Sequence, residues 1–94
     1  MQGKQRSVLA RITGKVQGVG YRVWARGEAM RLGLAGWVRN ESDGSVSTLI
    51  AGDAAAVATM IERLWQGPRG AAVSSVQIEE MAHDAAPADF RITP

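Results

Sequence analysis

Val57, Met60, Ile61, Leu64 and Trp65 recur at i, i+3, i+4, i+7 and i+8, an apolar stripe down one side of a helix. A helix with one apolar side must bury it against another element, so this segment dictates what the rest of the chain has to supply. Asp53 is placed to cap its start and Gly67-Pro68 to stop it. Upstream, Val8, Ala10 and Ile12 alternate with Leu9, Arg11 and Thr13, the period of two of a half-buried strand. A further helix from Tyr21 to Leu32 carries Tyr21, Ala25, Ala29 and Leu32 at helical spacing and ends before Gly33. Two short strands, 36–40 and 45–51, follow it, joined by Glu41-Ser42-Asp43-Gly44, in which Asp-Gly signals a hairpin. Val73, Val76 and Ile78 mark a fourth strand, and Phe90 and Ile92 a short closing one after an Ala-Pro turn at 85–88. The order β-α-β-β-α-β predicts an α+β fold, an antiparallel sheet with two helices on one face.

Length and composition narrow the chemistry. With 94 residues the chain is expected to form one domain, 1–94, with residues 1–6 a flexible N-terminus. The absence of cysteine removes disulfides, thiolate nucleophiles and Cys-ligated metals, and a single histidine, His83, rules out a multi-histidine centre within one chain. No apolar run is long enough to cross a bilayer, and Met1 to Arg6 lacks the apolar stretch of a signal peptide. A cytoplasmic protein with no membrane partner is therefore expected. The net charge of +2 is a mild excess spread along the chain, without the clustering of a nucleic-acid binder.

The segment Gly14-Lys15-Val16-Gln17-Gly18-Val19-Gly20-Tyr21-Arg22 joins the first strand to the first helix. Its glycines permit backbone angles in which successive N–H groups converge, forming an anion nest. The helix N-terminus adds unpaired donors and partial positive charge, and Arg22 a guanidinium fork suited to a tetrahedral oxyanion. The pattern is neither a P-loop nor a dinucleotide-binding fingerprint. The loop holds no Cys, Ser, Thr, Asp or His, so no covalent phosphoenzyme is expected there. A phosphatase built this way would use water as nucleophile and work by positioning and charge stabilisation. That suits an activated mixed carboxylic–phosphoric anhydride.

This run, with Leu32-Gly33-Leu34-Ala35-Gly36-Trp37-Val38-Arg39-Asn40 and Asp43-Gly44, resembles the acylphosphatase family, and the likeness extends through Gly67-Pro68 to Phe90. The resemblance implies a ferredoxin-like α/β sandwich and hydrolysis of acyl phosphates to a carboxylate and inorganic phosphate. It implies that Arg22 binds the phosphoryl group, that the Asn40 amide orients the attacking water, and that the backbone N–H groups of Gln17, Gly18, Val19, Gly20, Tyr21 and Arg22 form the phosphate cradle. Neither metal nor cofactor is implied, the partner is a small-molecule acyl phosphate, and nothing demands more than a monomer. Tyr21 stands where the family also uses Phe, and Gly20 where some members have Cys.

Each residue also has a plain structural role open to it. Arg22 and Lys15 could be solvated, Asn40 could cap the hairpin, and Trp24, Trp37 and Trp65 could simply pack, Trp65 on the core stripe and Trp24 partly exposed. Arg39 should face away from Asn40. Glu79 and Glu80 should face opposite ways and form no dyad. The alternative function is a non-catalytic anion- or RNA-binding module on the same fold. RNA-recognition sheets carry stacking aromatics on their central strands, and the strands at 8–13 and 46–51 hold none.

Overall fold

The computed structural model describes residues 4–82 and 87–94. β1 (Gln5–Lys15), α1 (Tyr21–Arg31), β2 (Ala35–Asn40), β3 (Val46–Asp53), α2 (Ala54–Gln66), β4 (Ala72–Glu80) and β5 (Phe90–Ile92) follow one another along the chain. The strands form one sheet in the order β4-β1-β3-β2-β5. α2 packs over β1 and β4, α1 over β2 and β5, so both helices lie on one face.

Cross-strand register sorts the side chains onto two faces. Val8 opposes Ile50, Ala10 opposes Thr48 and Ile12 opposes Val46, and all six are buried under the helices. The helices contribute Tyr21, Ala25 and Ala29 from α1 and Val57, Met60 and Leu64 from α2 to this core. The expected cap is present: the Asp53 carboxylate accepts from the N–H groups of Ala55 and Ala56 at 3.2 and 3.4 Å. α1 ends as its Gly33 predicts. With φ at 71°, that residue lets its own N–H reach the Met30 carbonyl and the Leu34 N–H reach that of Ala29, at 3.1 and 2.9 Å. This paired closure satisfies carbonyls that the helix end would leave open.

Three expectations need adjustment. The sheet is mixed: β1 to β4 pair antiparallel, but β5 lies parallel to β2, Gly36 opposite Phe90 and Val38 opposite Ile92. β4 ends and β2 begins at the same end of the sheet, so a segment arriving there pairs with the free edge of β2 in the same direction. Trp65 lies off the core, half exposed. The buried row is Val57, Met60 and Leu64, while Ile61 and Trp65 sit one residue further round, on the flank of the helix. Trp24 is partly exposed, as expected, and packs against the core. The segment expected to be flexible, 1–6, joins the sheet from Gln5 onward, since Gln5 pairs with Asp53 and the Lys4 carbonyl accepts from the Ala54 N–H at 2.7 Å. Residues 1–3 lie outside the described residues, as do His83 and half of the turn expected at 85–88.

Candidate active site

Strand directions bring the marked residues together. β1 and β2 run the same way, so the loop leaving β1 and the end of β2 at Asn40 share one end of the sheet. Asn40 has the same parity as the buried Val38, which turns its side chain toward the helix-covered face where α1 begins. Arg39 takes the opposite face, stacked 4.6 Å above the Trp37 ring and bonded to the Glu41 carboxylate at 2.9 Å.

Gly18 and Gly20 adopt φ of 75° and 77°. Their left-handed backbone turns the chain sharply enough for α1 to start at once. Gly20 is the N-cap, and it makes no side-chain cap to the helix; the first turn carries no acidic residue either. The first helical bond runs from the Trp24 N–H to the Gly20 carbonyl at 3.0 Å. Among the described residues, no protein acceptor receives the N–H groups of 17–23. The usual claimants for a helix N-terminus are thus missing, and its donors stay available for an anion.

A cleft of about 110 Å³ opens over these donors, lined by Val16, Gly18, Gly20, Tyr21, Arg22, Val23 and Asn40. Arg22 and Asn40, 18 positions apart in sequence, face one space. The Asn40 Oδ1 is buried and has no hydrogen-bond partner, a costly arrangement for an acceptor unless a donor arrives from the cleft. Lys15 is exposed and does not line the cleft. A larger concavity of about 350 Å³ on the open face of the sheet is lined by Leu9, Arg11, Ser47, Gln77, Ile78 and Glu79. β1, which forms its floor, pairs on both edges, so its backbone donors are spent and its side chains offer mixed charge.

The Tyr21 hydroxyl, whose use the sequence leaves open, is taken up by the core. It donates to the Leu64 carbonyl at 2.6 Å inside the core, and burial pushes the phenol well above its ordinary pKa. The Gln17 side chain, which sequence reasoning passed over in favour of its backbone, donates from Nε2 to the carbonyls of Glu41 and Ser45 at 2.8 and 2.9 Å. A glutamine beside a glycine turn signals nothing about so distant a partner. Glu79 and Glu80 take separate paths, as their adjacency requires: Glu80 pairs with Arg6 at 2.7 Å.

The Acylphosphatase family model matches residues 8–92. An acylphosphatase of Mesorhizobium japonicum is 61% identical over 92 residues, spanning 98% of each chain. Among solved structures, an acylphosphatase from Coxiella burnetii superposes with a TM-score of 0.90 at 38% identity, covering 95% of this chain and 93% of that one. The Bacillus subtilis acylphosphatase gives a TM-score of 0.90 at 30% identity over 95% of this chain and 99% of its own. Glycine turn, uncapped helix and full-length likeness agree: the chain belongs to the acylphosphatase family, whose enzymes hydrolyse acyl phosphates.

Proposed function

We propose that this cleft hydrolyses the carboxyl–phosphate bond by direct attack of water on phosphorus. The backbone N–H groups of Gln17 to Arg22 and the Arg22 guanidinium hold the phosphoryl oxygens. The Asn40 amide holds the water, its Oδ1 accepting one water hydrogen so that a lone pair faces phosphorus. The new P–O bond forms as the bond to the acyl oxygen breaks, and the carboxylate leaves with the electron pair. The water proton passes to a phosphoryl oxygen of the substrate. Fixed donors aimed at developing charge contribute several kcal/mol in sites of this kind.

The single observation that carries this reading is the buried, partnerless Asn40 Oδ1 in the same cleft as Arg22 and the free N–H groups. A site meant only to bind an anion gains nothing from a buried acceptor beside it. The reading extends to a single-domain monomer acting in the cytoplasm on a free small molecule, without metal, cofactor or nucleic acid. A metal would find few ligands, since among the described residues no group of three or more His, Cys, Asp or Glu gathers.

The test is release of phosphate from benzoyl phosphate in excess EDTA, beside Arg22→Ala and Asn40→Ala. Turnover by the unaltered protein and a loss of about 10²-fold or more in each variant are expected. An Asn40→Ala variant at full rate would overturn the assignment of the water.

A further inference from the structure

Gln17 sits in the turn between β1 and α1, and its side chain reaches across to the connection between β2 and β3. Both hydrogens of its amide are spent there: Nε2 donates to the Glu41 carbonyl at 2.8 Å and to the Ser45 carbonyl at 2.9 Å. Ser45 O also accepts from the Glu41 N–H at 2.9 Å, closing the turn that Gln17 grips. Glu41 is the residue after Asn40. The side chain therefore bolts the loop carrying the anion donors to the backbone next to the residue facing them.

Otherwise the two are joined along the chain only through the whole of α1 and the Gly33 turn. In-line attack requires water and phosphorus at a fixed separation and angle, and misplacement by about 1 Å costs about 10²-fold. The bolt fixes that separation directly. We propose that Gln17 is a positioning residue whose amide sets the distance between the anion cradle and Asn40, and that it acts on the rate through Asn40 alone. This rests on the reading of the site given above.

Two variants test it. Gln17→Met keeps the length of the side chain and removes both donors. Gln17→Glu keeps its shape and sets an acceptor against two carbonyls. With benzoyl phosphate, either should lower kcat by about 10- to 100-fold. Competitive inhibition by inorganic phosphate, which needs only the cradle and Arg22, should stay within about threefold, under 0.7 kcal/mol at about 1.4 kcal/mol per tenfold. In an Asn40→Ala background the Gln17 change should lower the residual rate by less than about twofold, because the alignment it protects is already lost.

An unchanged kcat overturns the proposal. So does a phosphate inhibition constant that weakens in step with kcat, or an undiminished further loss in the Asn40→Ala background; each means the side chain serves the loop as a whole. Should Gln17→Met melt below the assay temperature, the isosteric Gln17→Glu carries the same three measurements. Failure of the underlying reading looks different, as it appears in Asn40→Ala alone with Gln17 intact.

Discussion

The Tyr21 hydroxyl donates to the carbonyl oxygen of Leu64 at 2.6 Å, joining the first residue of α1 to the last turn of α2. In a continuing helix that carbonyl would be met by the N–H four residues on, which here is Pro68 and has none. The phenol supplies the missing donor, from the residue at which α1 starts.

Tyr21→Phe removes that donor and leaves a buried acceptor unmet. The expected cost is about 1–3 kcal/mol, read as a fall in Tm of about 4–8 °C per kcal/mol for a domain of this size. Because the hydroxyl points into the core, kcat measured well below Tm should be unchanged. A fall in kcat with an unaltered Tm would place the phenol in the chemistry instead.

Arg22→Lys keeps the charge and loses the planar pair of donors. A phosphoryl group in flight presents oxygens that a fork matches and a point charge does not. The loss in kcat/KM should therefore approach that of Arg22→Ala, about 10²-fold. Steady-state kinetics of the two variants side by side decide it; near-complete rescue by lysine would mean that charge alone matters.

At the far end of the sheet, the hydrogen bond from Arg6 holds the Glu80 carboxyl below its ordinary value of 4.5. A carboxylate depressed in the folded state stabilises the fold above its unfolded pKa, and that contribution disappears as the pH falls through the folded value. Both side chains are solvated, so the effect is small. The Tm difference between the protein and Glu80→Gln should be present at neutral pH and vanish in strong acid, with activity unaffected. Calorimetry across that range checks it, and a difference growing toward acid would contradict the sign.

What could be read from the sequence was whatever depends on residues near one another along the chain. Asp53 capping α2, Gly33 closing α1 and the alternation of β1 all follow from local backbone chemistry, and each stands where its residues imply. Arg22 and Asn40 fall into one cleft because the strand order fixes which ends coincide, and that order follows from short connections. Features that depend on a distant partner were not legible. Nothing local to Phe90 says that β5 will run parallel to β2. Nothing around Gln17 points to Glu41 and Ser45, and the missing N–H of Pro68 shows that Leu64 needs a donor without saying that Tyr21 provides it. Trp65 belongs to the stripe by spacing, but how far a helix rolls onto its sheet is decided by packing.

β1 lies between β3 and β4, bonded to both, and this has a consequence for how the protein comes into being. β1 pairs with strands far along the chain from it, and pairing across such separations is slow, because loop closure is costly before contacts repay it. The glycine turn is held by β1 paired on both edges, by Tyr21 on Leu64 and by Gln17 on Glu41 and Ser45. A short peptide carrying the turn and Arg22 would therefore have every recognisable residue and no preformed shape. The shape of the cleft thus depends on pairings that reach from β1 to β4, well beyond the residues that line it.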